Sequence, residues 1–443
     1  MVEHSTRHYI LFNFFLDDNM KVFIETYGCT FNQADSEIMA GILNENDIEI
    51  VDSQEEADAI IVNTCYVKLP TESKVINRIR NLQMEFPDKE IIVGGCMVEV
   101  DPKKLDAVGP NCSWIGPHQL NKTADVVKSA IAGEVSREFG FSDEPKVCVP
   151  KMRQDPYVHV IQICEGCLGS CTYCCTRFAR GHLNSYPIKD IVDEARQAIE
   201  EGCVEIQLTA QDTSAFGKDT GERLADLIKE VAGLDGNFKV RVGMMHPKNI
   251  GNDLEDLIEA FKLEKVYNFI HLPIQSGSDA VLKHMRRNHT VEDYRRIVYR
   301  FKEEIPDITV ATDIIIGYPT ETEEDFMMTA DLIEEIKFNL IHLSKYQHRE
   351  GATSSSLENI PFEEMKRRSK LLSDIKFSII EDENKVLKDK ELNALVVGKG
   401  SKGGFIAKTD NYIPVVVQDV ELGEFIKVHI DETTGTYLIG HKI

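Results

Sequence analysis

From Lys21 to about Gly140, apolar runs of strand length alternate with stretches in which apolar residues recur at helical spacing. KVFIETYG (21–28) reads as a strand, QADSEIMAGILNE (33–45) as a helix, ADAIIVNTC (57–65) as a strand and TESKVINRIRNLQ (71–83) as a helix. EIIVGGC (90–96) and CSWIG (112–116) supply two more strands. Strand–helix alternation of this kind predicts a parallel sheet flanked by helices. A polar stretch over 141–156 shows no period and reads as a linker. A second alternation then begins, with strands at YVHVIQIC, VEIQLTA, FKVRVGMM, NFIHLPI, ITVATDIII and LIHLSKYQ. Six units are too few for an eight-fold barrel and suit an open six-strand (β/α) barrel over 157–383. After a long charged helix (361–388), five short β-rich runs separated by Gly, Asp and Asn predict a small β-barrel over 384–443. The fold class is therefore α/β with three blocks, 21–140, 157–383 and 384–443, behind an extension at 1–20.

Composition changes this picture little. The longest apolar run near the start, Tyr9 to Leu16, is too short to span a bilayer and has no signal-peptide cleavage pattern, so a cytoplasmic protein with no membrane partner is expected. The net charge of −24 argues against loose, whole-surface affinity for nucleic acid, though not against a local patch. The last block carries eight lysines against eight acidic residues, neutral on an acidic chain, which is compatible with RNA contact or with an inert cap.

Cysteine placement changes it more. Eleven cysteines without a secretory signal favour metal or redox chemistry over a disulfide framework. Cys29, Cys65 and Cys96 each fall just beyond the carboxyl end of a strand, the edge where open α/β sheets bind ligands. Five more crowd CEGCLGSCTYCC (164–175). Three readings fit them: structural zinc on Cys164, Cys167, Cys171 and Cys174; a ferredoxin-like cluster on the same four; or a C-x3-C-x2-C triad of Cys167, Cys171 and Cys174. The triad would leave one iron of a four-iron cluster open to chelate S-adenosylmethionine for reductive cleavage. Cys164 ends a strand and Cys175 directly follows Cys174, so both read as spectators, and Tyr173 reads as a residue packing near an adenine or as shielding.

The triad after a first barrel strand resembles the radical S-adenosylmethionine enzymes. CTYCCTRFARGHLNSYP (171–187), ETYGCTFNQADSE (25–37), IVNTCYVKLPTESK (61–74), VGGCM (93–97), HLPIQSGSD (271–279) and TDIIIGYPTETEEDF (312–326) are similar to their methylthiotransferase branch. The likeness is nearest to the archaeal and eukaryotic type acting on threonylcarbamoyladenosine in transfer RNA. It implies two [4Fe-4S] clusters, an auxiliary one on Cys29, Cys65 and Cys96 and a radical one on Cys167, Cys171 and Cys174. It implies two S-adenosylmethionine per product, one methylating the inserted sulfur and one giving the radical that takes hydrogen from carbon 2 of the adenine. It names the last block a TRAM domain contacting RNA, and it implies as partners the tRNA anticodon stem-loop, an electron donor and a sulfur donor. Gln211, Arg241 and Gln275, at barrel strand ends, are candidate cofactor contacts, with Arg241 suited to a methionyl carboxylate. HREGATS (348–354) departs from the family by lacking its prolines, and TAQDTSAFG (209–217) also resembles the branch acting on a ribosomal-protein aspartate. Isopentenyl-type adenosine, that aspartate, and a non-catalytic metal-containing RNA-binding protein are the alternatives.

Overall fold

The computed structural model describes residues 20–400 and 402–443, so the extension read at 1–20 lies outside it except for Met20. Six parallel strands form the first sheet in the spatial order Glu49–Ile50, Lys21–Thr26, Ala59–Thr64, Glu90–Gly95, Ser113–Ile115 and Arg137–Glu138. The two outermost strands have two residues each, too few to show a period in the sequence. The central strand AIIVNT is buried at every position because helices cover both faces. Ile60 and Val62 meet Val75 and Ile79 of helix Leu69–Glu85 on one side. Ala59 and Ile61 meet Ile38 and Leu43 of helix Thr30–Glu45 on the other.

The second block is the open barrel that the spacing predicts. Its strands Val158–Gln162, Glu205–Thr209, Lys239–Val242, Phe269–His271, Thr309–Ile316 and Leu340–Lys345 follow one another in chain order. All pairs are parallel, and a bridge between Val240 and Val266 joins the two three-stranded halves. Helices Val291–Glu304 and Glu323–Ile336 open on capping boxes, Thr290 with Asp293 and Thr322 with Asp325. Such reciprocal caps satisfy amide donors that a helix start leaves free. Helix Thr30–Glu45 of the first block packs on the first barrel strand, where Gln162 donates to the Phe31 carbonyl and to Asp35.

The last block is a closed five-stranded barrel in the order Glu391–Lys399, Phe405–Thr409, Pro414–Val417, Leu438–Lys442 and Phe425–Thr433. It docks at the amino-terminal ends of the larger barrel's strands. There Tyr412 sits edge-on to Tyr267 at 4.8 Å and against Phe269 at 5.0 Å, and Asp410 pairs with Lys239 at 2.6 Å. The cysteine-rich loop lies at the opposite, carboxyl end of the strands. Among the described residues no helix is long and apolar enough to cross a membrane.

The stretch 141–156 carries no regular element, yet it is pinned rather than loose. The Cys148 amide donates to Glu194 at 2.7 Å, and Glu194 also meets Lys151 and His159. Burial opposes the charge on Glu194, but Lys151 and His159 outweigh it and hold the carboxyl down at about 2. A folded value below the unfolded one means stability that is present above the unfolded carboxylate range and lost as pH falls through the folded value. Chemical denaturation from pH 6 to pH 2 should therefore show a fall to which Glu194 contributes about 2–3 kcal/mol. Glu194→Gln should lack that part of the slope.

Candidate functional site

Cys29, Cys65 and Cys96 follow three adjacent parallel strands whose carboxyl ends are level, Thr26 pairing with Asn63 and Thr64 with Gly95. Two of the turns, before Cys29 and Cys96, are shaped by a glycine. Gly28 has φ +119°, and a Cβ there would stand 2.7 Å from the Cys65 Cβ. Gly95 has φ +87°, and a Cβ there would come within 2.5 Å of the Thr64 carbonyl. Only glycine combines these conformations with so close an approach. Asn32 ties the turns together, donating to the carbonyls of Tyr27 and Thr64, while its own Oδ1 lies 3.7 Å from the Cys96 sulfur.

Cys167, Cys171 and Cys174 occupy the loop beyond the first barrel strand. The Gly169 amide donates to the Cys167 sulfur at 3.1 Å and the Thr176 amide to the Cys174 sulfur at 3.3 Å. Arg287, buried, lays a guanidinium nitrogen 3.8 Å from the Cys171 sulfur while donating to the Pro273 carbonyl. The two cysteines read as spectators are packed away. Cys164 lies in the barrel core, and Cys175 is buried with its thiol directed at the Tyr66 carbonyl.

Both trios line one cavity of about 1240 Å³, together with Gln211, Arg241, Gln275 and Tyr173. Each trio offers three thiolates to the cavity, and among the described residues no further cysteine lines it, a donor set that suits a cluster with one iron left open better than a closed four-thiolate zinc site. A Cβ at Gly169 would reach to 3.2 Å from the Cys167 sulfur and 3.8 Å from that of Cys171, crowding the cradle. Burial pushes the Cys167 thiol up to about 12, with Asp212 and the neighbouring cysteines adding to it. Burial, and then Cys96, push Cys65 equally far. Thiols so placed ionise when a cationic metal sits among them. The residues present fit the groups that their pattern implies.

The two halves of the cavity are held together by a buried charge cluster. Arg180 meets Asp35 at 2.6 Å and Glu165 at 3.0 Å, and donates to Asn32 at 2.8 Å. Lys146 bridges the same two carboxylates at 2.9 Å each. Asp35 belongs to the first block, Lys146 to the linker, and Glu165 and Arg180 to the barrel's cysteine region. Burial would raise Asp35, but Arg180 and Lys146 prevail and hold its carboxyl below the usual range. In the loop that has lost its prolines, Arg349 makes a second tie, donating to the Val67 carbonyl and pairing with the buried Glu72.

The three non-cysteine candidates do different things. The Gln211 side-chain oxygen accepts from the Gly166 amide at 2.8 Å, which fixes the cysteine loop. Gln275 holds φ +77°, a conformation rare for a side-chain-bearing residue, inside a strand bridge to Ile314. Arg241 lies over the rings of Phe269 and Tyr412 at 5.4 and 5.2 Å and lines the main cavity as well as a smaller one beneath it. Asp212, in the stretch TAQDTSAFG, accepts from the His246 amide and from Asn249, so it braces one strand-end loop against the next. Sequence reasoning missed Arg287, Arg180 and a His271–Asp313–His342 group on three adjacent strands, with His271 3.2 Å from Asp313. The two arginines sit in a short helix and a turn, and the other three stand one on each of three strands, so only the packing of those elements brings them together.

Comparison with known proteins bears on the whole chain. Residues 21–116 match a family described as "Uncharacterized protein family UPF0004", 161–333 the radical SAM superfamily and 385–443 the TRAM domain. A "Probable threonylcarbamoyladenosine tRNA methylthiotransferase" of Methanothermobacter thermautotrophicus is 57% identical, over 95% of this chain and 99% of the relative. The Homo sapiens "Threonylcarbamoyladenosine tRNA methylthiotransferase" is 35% identical over 96% of this chain and 74% of its own length. Among solved structures, the radical S-adenosylmethionine methyltransferase TsrM of Kitasatospora setae shares the fold, with a TM-score of 0.58 over 76% of this chain and 75% of that one at 12% identity.

Breaking the charge cluster tests its role. Arg180→Met leaves two buried carboxylates facing Lys146 alone and should cost about 3–5 kcal/mol in chemical denaturation. Asp35 gives the pH sign: its contribution is present above the unfolded aspartate value and is lost as pH falls through its depressed folded value.

Proposed function

We propose, from the premise that this chain belongs to the threonylcarbamoyladenosine tRNA methylthiotransferase family of radical S-adenosylmethionine enzymes, that it acts on that nucleoside beside the anticodon. The reaction replaces the hydrogen on carbon 2 of the adenine with a methylthio group. The observation that carries this reading is the single cavity into which both cysteine trios open. Two sulfur-ligated groups facing one space are what an insertion needs when one of them activates the substrate and the other serves the incoming sulfur.

Cys167, Cys171 and Cys174 would hold a [4Fe-4S] cluster, and Cys29, Cys65 and Cys96 a second. When bound, the first supplies the electron that cleaves S-adenosylmethionine and so the radical that can take hydrogen from an unactivated C–H bond. Two S-adenosylmethionine per product follow, one spent on the radical and one on the sulfur's methyl group. The chain's own residues do the rest. Gln211 and Gly166 fix the cysteine loop, Arg287 places positive charge against the Cys171 sulfur, and Tyr173 walls the cavity beside it. Gln275, in the barrel mouth, and Arg241, which reaches the cavity from the barrel interior, are the polar groups proposed to meet the methionyl end of the cofactor. The terminal barrel supports RNA contact beyond the cavity, and an electron donor and a sulfur donor complete the partners. The setting is the cytoplasm, where tRNA is matured.

Nucleoside mass spectrometry is the direct test, in a host that makes threonylcarbamoyladenosine without methylthiolating it. The 2-methylthio nucleoside should appear on expression of this chain and vanish with Cys171→Ala. Its absence with both clusters loaded would sink the tRNA reading and move the search to the isopentenyl-type adenosine and the ribosomal-protein aspartate. In the purified enzyme, Cys29→Ala should spare S-adenosylmethionine cleavage and abolish sulfur insertion. Loss of cleavage there, with the barrel cluster intact, would mean the two trios have been assigned the wrong roles.

A further inference from the structure

The N6 substituent and carbon 2 of an adenine lie on the same edge of the six-membered ring, either side of N1. A side chain that meets the free carboxylate of a threonylcarbamoyl group must therefore sit within one residue's reach of the point where carbon 2 reacts. On the reading above, that point lies between the two cysteine trios.

Five arginines and no lysine line the cavity. Three are committed. Arg180 is locked to Asp35 and Glu165, Arg287 lies against Cys171 and the Pro273 carbonyl, and Arg241 is stacked on Phe269 and Tyr412. Arg286 is exposed in the turn after helix Asp279–His284, a turn tied to the barrel's cysteine loop by the Thr172 amide donating to the Met285 carbonyl. Arg177 is different. It is the second residue of the short helix Thr176–Arg180, which starts two residues after Cys174 and packs against the helix Cys96–Val100. That places it at the junction of both trios.

Among the described residues Arg177 forms no ion pair; its guanidinium lies 3.1 Å from both ring nitrogens of His182, a side chain that never carries the negative charge an arginine pairs with. The cavity lining also carries two aromatic rings open to solvent, Phe178, the next residue, at 45% and Phe141 at 63% exposure. A fork of N–H donors without an ion-pair partner, in a cavity that also offers exposed rings, matches a base bearing a carboxylate: a ring can take its flat face and the fork its anion. On a chain of net charge −24, an anionic side chain needs such a local cation to enter at all.

Resting on the proposed function, we propose that Arg177 is the residue that recognises the substrate's free carboxylate and so sets the enzyme's preference for an acidic N6 group over an apolar one. A site built to pair a charge rejects an analogue lacking it, because its own donor is then left unmatched.

The test uses the holoenzyme with both clusters loaded, iron content verified for each variant, and two tRNA substrates: the threonylcarbamoyl acid and its methyl ester. Wild type should favour the acid by on the order of 100-fold in kcat/KM, the size typical of truncating one side of a close charge pair. Arg177→Ala should lose most of that ratio, chiefly through KM for the acid, and Arg177→Lys should recover part of it. Equal losses on acid and ester would make Arg177 a structural residue and overturn the inference, as would a ratio that survives in Arg177→Ala and disappears in Arg286→Ala. If wild type modifies neither substrate, the proposed function itself falls and takes this assignment with it. If wild type modifies the acid and Arg177→Ala matches it, only this assignment falls.

Discussion

Two carboxylates and two cations, Asp35, Glu165, Lys146 and Arg180, meet where almost no water reaches, and everything at the cavity depends on their meeting. They come from a helix of the first block, from the linker and from both flanks of the cysteine loop. Buried charges tolerate little displacement from their partners, since the attraction that offsets their desolvation falls off with distance. Joining the blocks through such a cluster therefore fixes their relative position more tightly than apolar packing, which accommodates sliding. Asn32 extends the cluster to the first cysteine trio by accepting from Arg180 and donating to the Thr64 carbonyl next to Cys65. Arg180, six residues after Cys174, anchors the second trio. One guanidinium thus holds both sulfur-rich sites in register across the cavity.

The barrel is open, and its neighbours complete it. Helix Thr30–Glu45 lies on its first strand, and the terminal barrel closes the amino-terminal ends of its strands with Tyr412. This arrangement leaves the carboxyl ends free as the working face, the rule for strand–helix barrels. It also explains Arg241. A charged side chain in the barrel interior is held over two aromatic faces, one belonging to the terminal block, so that block contributes to the interior wall as well as offering a surface of its own.

Much of the architecture was legible from the spacing of apolar residues. The parallel sheet, the six-strand barrel and the five terminal strands all stand where the periodicity put them, because strands and helices of ordinary length leave a local signature. The two-residue edge strands left none. The stretch 141–156 read as a polar linker, and it has no regular element; that it delivers Lys146 into a buried charge cluster has no counterpart in composition.

The sequence by itself determined the three blocks, the placement of three cysteines at strand ends, and the C-x3-C-x2-C loop, since each is written in neighbouring residues. It could not say that strands 21–26, 59–64 and 90–95 are side by side, that the two trios open on one cavity, or that of the cavity's arginines Arg180 is bound within the fold while Arg177 is left uncommitted. Those facts are contacts between residues up to about 150 positions apart, Asn32 with Arg180 among them. Local pattern carries no record of such partners. Only the packing of the blocks, set by buried charge, decides which polar groups are consumed in holding the fold and which remain for the substrate.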